Sequence, residues 1–427
     1  MVRVRGGGAL SIIVLLAGTV SCGSGDAQST PVRAAQHAHP PAGHAPSVGE
    51  LQSTFEQLLG HHATLVCRFL RAQLGDDGDF TEAADQAVVT NTADLAAAVE
   101  SVHGPEAAGQ FEELWVAHVE LLGGYAAALR DGDEAGQVAA REGLDRYRGD
   151  YGTFVEGATS GGIVAPDAAE NLRAHLDHLL GHADAFHDGD HVRAFELQRI
   201  AFAHMFPTGH ALGGGLGGTR PGELPVPAED AGQQLRSTLG RLLGEHFELA
   251  VDAMRSAVGG GGDFDGAAAA LNGNTGDLTA AMDALFGPER AARFNGAWAA
   301  HVEPLVAYTA ALSEQDEAGR AEARSRLREA EDVLAETLAG LTGGVLTVET
   351  ARSVFRSHDD QLVRQIDAYA TGDFTTAHQL SFEGYQHMFD VAANLAPAIE
   401  AALAGQRPAG GAATGNGGTA FPPGGTD

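Results

Sequence analysis

Apolar residues recur every three to four positions along most of the chain, which is the pattern of amphipathic helices. A representative stripe near the start of the first long pattern contains Leu51, Phe55, Leu58, Leu59, Leu65 and Phe69. No segment alternates apolar and polar residues for long enough to predict a β-strand. The pattern therefore predicts an all-α fold.

Proline and capping residues predict several helix ends. A short helix is expected from Phe80, and Asn91, with Asp94 three residues later, is interpreted as the N-cap of the next helix. Pro105 is placed in the first turn of a helix, where proline is tolerated. Pro207 is expected to end the last helix of the first half.

The pattern occurs twice. Residues 91–212 align with 274–395 without a gap at an offset of 183, and upstream of this segment the offset is 184. Agreement between the two copies can therefore be read from this one chain. We predict two tandem homologous helical bundles, each with four long helices plus short helices.

Composition divides the chain further. The predicted organisation is a lipoprotein signal peptide at 1–21, a flexible His/Pro-rich tether at 22–47, the first bundle at 48–213, a Gly/Pro linker at 214–229, the second bundle at 230–404 and a disordered tail at 405–427.

The first residues look like an export signal. Arg3 and Arg5 precede a short apolar run at 9–20, and "TVSC" then ends at Cys22. This resembles a bacterial lipobox, in which the cysteine becomes lipidated. It predicts an extracytoplasmic protein anchored to the cell membrane through a lipid at Cys22; ordinary secretion is the alternative.

Charge limits the partners. The formal net charge is −31, and all 26 basic residues are arginines. Such an excess repels the phosphates of nucleic acids and of anionic membranes, so only the lipid anchor is expected to contact a membrane. The sequence identifies no protein partner, and an acidic surface is compatible with a cation as ligand.

Four histidines occur in both copies, each on the apolar stripe of its own predicted helix, and are expected to face inward. They are His62, His118, His175 and His204 in the first copy and His246, His301, His358 and His387 in the second. Neutral imidazole is a ligand for transition metals, and helical bundles assemble such sites from facing helices. An all-imidazole set favours copper or zinc.

The repeated acids do not predict a carboxylate-rich di-iron site. They are Glu120, Glu303, Asp177 and Asp360, and each lies two residues from a histidine, so it points away from it on a helix. The leading hypothesis is therefore that each bundle binds a transition-metal ion or metal cofactor through histidine.

The alternative is a structural or protein-interaction module in which these histidines are core residues. Burying an unpaired polar ring costs about 1–3 kcal/mol, so tyrosine, indole or backbone groups would have to satisfy each one.

Cys67, in an apolar helical stretch, is interpreted as a small core residue. No catalytic motif is recognisable, so we predict a protein that is not an enzyme.

Several motifs occur in both copies: "LLGxHxxL", "NTxDL", "WxxHVE" and "HMF". They resemble those of uncharacterised secreted helical-bundle proteins of bacteria. The resemblance covers both copies and implies a helical fold and an extracytoplasmic location. It implies no particular activity.

Overall fold

A computed structural model describes residues 46–75, 78–219 and 231–405, which form twelve α-helices and no strand. The prediction of an all-α fold is confirmed. The first half contains α1 (Val48–Leu74), α2 (Gly78–His103), α3 (Pro105–Asp131), α4 (Glu134–Ala158), α5 (Ala165–His187) and α6 (His191–Gly217). The second half contains α7 (Ala231–Gly259), α8 (Phe264–Phe286), α9 (Pro288–Ser313), α10 (Glu317–Leu341), α11 (Val348–Ala370) and α12 (Phe374–Gly405).

The short helix that was expected from Phe80 is part of a long helix. The segment from Phe80 and the segment from Asn91 belong to one continuous helix, α2, of 26 residues. Asn91 is not an N-cap: it is fully buried in the middle of α2, and its Nδ2 donates to the Leu58 carbonyl oxygen of α1 at 3.0 Å. No glycine or proline interrupts the chain between these two segments, and the Nδ2 of Asn91 donates to α1 instead of its side chain capping a helix.

Glycine followed by proline begins the third helix of each half. Gly104 and Gly287 have φ of 81° and 83°, a left-handed backbone that favours glycine. Pro105 and Pro288 follow at the first helical position, as predicted for Pro105.

The prediction that Pro207 ends its helix is wrong. Helix α6 continues through Pro207 to Gly217, so the first residues of the expected linker at 214–229 are helical. Gly209 and Gly213 lie directly against the backbone of α1, where an added Cβ would come within 2.5 Å and 2.7 Å of α1 atoms. This close packing holds the helix together beyond a residue that would interrupt it in isolation.

The two halves have adjoining apolar cores, and the described residues form one compact unit. One face of α6 contributes Ala201 and Met205 to the core of the first half, while Phe195 and Phe202 pack into the core of the second half. Because α6 is apolar on two faces, it joins the halves.

Cys67 is buried, as predicted, and burial raises the pKa of its thiol to about 12.

Several predictions concern residues outside this description. The signal peptide at 1–21, lipidation at Cys22, nearly all of the tether and nearly all of the tail at 405–427 lie outside the described residues. Within the described ranges, no helix is both long enough and apolar enough to span a bilayer.

Candidate metal centres

Three histidines from three helices meet in the core of the first half. His62 lies on α1, His118 on α3 and His175 on α5, and each is at most 1% exposed. Each contributes one ring nitrogen to a group whose members all lie within 4.8 Å of one another. We call this group the first triad. Nε2 of His62 is 3.1 Å from Nε2 of His118, so these two rings share one hydrogen bond.

The corresponding residues of the second half form a second triad. His246 on α7, His301 on α9 and His358 on α11 also place one nitrogen each within 4.8 Å of the other two. The ring of His246 is centred 5.5 Å from His301 and 5.7 Å from His358. Two buried three-histidine groups therefore exist, each with a spacing that can hold one metal ion.

The fourth predicted histidine of each half does not join its triad. His204 on α6 is half-buried, and its Nε2 lies 3.1 Å from the carbonyl oxygen of Asn171. His387 on α12 is likewise half-buried. Their sequence pattern placed them on the apolar side of a helix, but their ring nitrogens fall outside the groups formed by the other three.

Most triad nitrogens lack a hydrogen-bond partner among the described residues. Both nitrogens of His175, His246 and His358 are buried in this way. Nε2 of His301 is also unpartnered, while its Nδ1 donates to the Trp298 carbonyl oxygen. That bond fixes the tautomer of His301 and leaves the Nε2 lone pair directed away from the backbone, as in metal-binding histidines.

Burial keeps the triad rings neutral. It lowers the pKa of His118 to about 3 and that of His301 to about 4. The pKa of His62 falls well below its ordinary value through burial and then through the neighbouring His118 and His175. Because metals bind the unprotonated imidazole, each ring is in its ligating form at neutral pH.

A tryptophan accompanies each triad. The ring of Trp115 lies 4.8 Å from that of His62, and its Nε1 donates to His62 Nδ1 at 3.3 Å. Trp298 is centred 4.7 Å from His246, but its Nε1 has no partner among the described residues. The repeated Trp thus orients a histidine through a hydrogen bond in the first half alone.

Two further residues beside the triads were missed at the level of sequence. Asn91 and its counterpart Asn274 are fully buried, and their side chains partly oppose the lowering of the pKa of His62 and His246. The repeated motif "NTxDL" contains both residues, but the sequence around Asn91 is also typical of a helix N-cap. Only their position inside α2 and α8 shows that they border the triads.

The repeated carboxylates lie away from the triads, as predicted. Glu303, Asp177 and Asp360 expose more than half of their side chains to solvent. An unpredicted carboxyl does lie near the second triad: Asp359 is fully buried, and its Oδ1 is 3.7 Å from Nε2 of His358. Burial raises the pKa of Asp359, and the neighbouring Glu331 raises it further.

The chain has no match among family models, curated proteins or solved structures.

Proposed function

We propose that this protein binds one transition-metal ion in each triad and is displayed outside the cytoplasm as a lipid-anchored, non-catalytic metal-binding protein. The observation that supports the proposal best is the convergence of three neutral, fully buried imidazoles, twice, with unpartnered nitrogens among them. Leaving such nitrogens unsatisfied costs about 1–3 kcal/mol each, and a metal ion would remove that cost.

The spacing suits a first-row metal. Metal–imidazole bonds of about 2.0–2.1 Å place ligand nitrogens about 3.3 Å apart in a tetrahedron. The separation of 3.1 Å between Nε2 of His62 and Nε2 of His118 is close to that value. An all-imidazole donor set without a carboxylate in the first triad favours zinc or copper over harder cations.

Location and lipidation are part of the proposal. They rest on the apolar segment at 9–20 and on the lipobox-like residues that end at Cys22. The acidic surface, with a formal net charge of −31, would raise the local concentration of cations around a protein displayed in this way.

The test is the metal content of the full chain, purified in detergent without a histidine tag or chelating column and measured by elemental mass spectrometry. We expect one equivalent of one metal per triad. His118→Ala should remove the first equivalent and His301→Ala the second. His204→Ala is the matched control and should retain both, because His204 lies outside the triad.

The alternative is that the six histidines only pack the core. It predicts a chain without metal that takes up neither Zn²⁺ nor Cu²⁺ in a competition titration with a chromophoric chelator. The same His→Ala variants would then lower the free energy of unfolding without changing metal content. Because the titration uses the unsubstituted chain, it decides the question even if a variant fails to fold.

A further inference from the structure

A buried cluster of charges lies where the two halves meet. The Arg68 guanidinium of α1 donates from Nε to Asp252 of α7 at 2.7 Å, and its Nη1 contacts the Glu248 carboxylate. The three side chains are 1–3% exposed. Arg68 and Asp252 occupy equivalent positions of the sequence repeat, 184 residues apart. The ion pair between Arg68 and Asp252 therefore joins α1 to α7 at equivalent positions of the repeat.

A second arginine shares the same carboxylate. Nη2 of Arg71 lies 2.9 Å from Asp252 Oδ1, and Gln198 donates to Asp252 Oδ2 at 2.7 Å. The Arg71 guanidinium also lies over the ring of Phe195, 4.8 Å from its centre. Two arginines are therefore balanced by two carboxylates, those of Glu248 and Asp252.

Arg255, the repeat counterpart of Arg71, has no such balance. It is 5% exposed and donates from Nε to Gln365 at 3.2 Å and from Nη2 to the Ala377 carbonyl oxygen at 3.0 Å. Its Nη1 is buried without a partner, and no carboxylate of the described residues forms an ion pair with it. Burial lowers its pKa to about 9, so the guanidinium is still cationic at neutral pH.

These arginines line one cleft of about 290 Å³ between the halves. Its apolar walls are aromatic, and exposed glycines lie at its rim. The residues that matter for binding are Arg71, Arg255, Phe80, Phe186 and Tyr369, and Asp263 also belongs to the lining. Asp263 accepts a hydrogen bond from Ser256 at 2.9 Å and forms no ion pair with the arginines among the described residues.

A buried cation without a counter-ion is costly, by several kcal/mol, unless an anion neutralises it. Arg255 lines the cleft, and a turn of its side chain would present the unpartnered Nη1 to such an anion. The cleft also offers aromatic surface: the Arg255 guanidinium lies over the Tyr369 ring at 5.3 Å, and Phe80 and Phe186 belong to the same lining. A ligand that uses both features needs one negative charge and a flat apolar body.

We propose that this cleft between the halves binds a small aromatic carboxylate, with the carboxylate on the Arg255 guanidinium and the ring against Phe80, Phe186 and Tyr369. This site is separate from the histidine triads and does not depend on metal. An arginine–carboxylate hydrogen bond is charge-assisted and directional, which would select the acid over its neutral analogue.

Isothermal titration of the full chain with benzoate tests the proposal, with benzamide as the neutral isostere and inorganic phosphate as an anion without a ring. We expect benzoate to bind at least about tenfold more tightly than either, the effect of one charge-assisted hydrogen bond. Equal binding of benzoate and benzamide, or no heat up to the solubility limit of benzoate, would overturn it.

Variants locate the site. Arg255→Gln should weaken benzoate binding by about tenfold or more, while Arg173→Gln, which removes an exposed arginine of α5, should leave it unchanged. If Arg255→Gln does not fold, Ser256→Glu serves instead, since it keeps every arginine and adds a carboxylate to the cleft wall. It should compete with benzoate, and undiminished binding in that variant would contradict the proposal.

Discussion

The two triads have equivalent histidines, tryptophans and buried asparagines, and they differ in other residues around them. In the first half, Tyr147 stacks on His118 with ring centres 5.2 Å apart. In the second half Ala330 occupies the corresponding position of the repeat, and the new neighbour is the buried Asp359, where the first half has Leu176. The first triad is thus enclosed by aromatic rings, whereas the second has a carboxyl beside it.

Access differs as well. His246 lines a small cavity of about 30 Å³ together with Ala253 and Val306. In the first half the residue equivalent to Ala253 is Phe69, which packs directly against Gly123. The large Phe69 side chain therefore closes the approach to the first triad, whereas the smaller Ala253 leaves a cavity beside the second. A common histidine framework can thus support centres of different polarity and accessibility, and four predictions test this difference.

The largest effect should come from exchanging the residues next to the third histidine. Leu176→Asp places a carboxyl among the apolar core residues of the first half, where Leu176 is 3% exposed, and we expect a loss of about 3–5 kcal/mol in the free energy of unfolding. Asp359→Leu removes a buried carboxyl with unpartnered oxygens and should be neutral or stabilising by about 1 kcal/mol. Urea unfolding measures both. Equal destabilisation by the two substitutions would show that the second half depends on its carboxyl.

Acid should destabilise the metal-free chain through both triads. The buried histidines have pKa values below those of the unfolded chain, so the unfolded state binds more protons as the pH falls below about 6.5. Stability is therefore fully present above that pH and is lost as the pH falls toward about 4 for His301 and about 3 for His118. Between pH 6.5 and 4.5 we expect a loss of about 2 kcal/mol for each of these two histidines.

Substitution separates these contributions from the general effect of acid. His301→Leu and His118→Leu should each flatten the dependence of unfolding free energy on pH over this window. His187→Leu supplies the control, because it removes an exposed histidine at the end of α5 and not a buried one. A slope that is the same in all three variants would contradict the role of burial.

Tryptophan should matter more in the first half. Trp115→Phe removes the hydrogen bond to His62 Nδ1, whereas Trp298→Phe removes an N–H without a partner among the described residues. Because both substitutions delete similar ring area, their difference isolates the hydrogen bond, and we expect Trp115→Phe to cost about 1 kcal/mol more. Thermal or urea unfolding of the two variants is the measurement. The reverse order would show that the Trp298 indole has a partner in solution.

The smallest difference should appear in the rate of metal exchange. If both triads bind metal, the second should release it faster to a chelator, because the cavity beside His246 shortens the path to solvent. Ala253→Leu should slow that phase by filling the cavity and leave the other phase unchanged. His118→Ala and His301→Ala assign the phases, since each retains one centre. A single phase insensitive to Ala253→Leu would remove access as a distinction between the triads.

Much of the helical fold could be predicted from local pattern, but several helix ends could not. Pro105 marked a helix start correctly, because the preference of proline for the first turn acts within a few residues. Pro207 was wrongly expected to end its helix, because the contacts of Gly209 and Gly213 with α1 keep α6 helical beyond it. Asn91 was wrongly interpreted as a cap for a similar reason: its buried Nδ2 donates to a carbonyl oxygen of another helix.

The sequence by itself determined that the protein is helical, that the pattern repeats, and that the repeated histidines lie on apolar stripes. Period and spacing suffice for this, because they describe how one helix presents its side chains. Only the tertiary structure decided that three histidines of each half converge while His204 and His387 do not, that Asp359 lies at one triad, and that Arg255 faces a cleft between the halves. These outcomes depend on the axial register and rotation of packed helices, which arise from contacts between residues far apart in the chain.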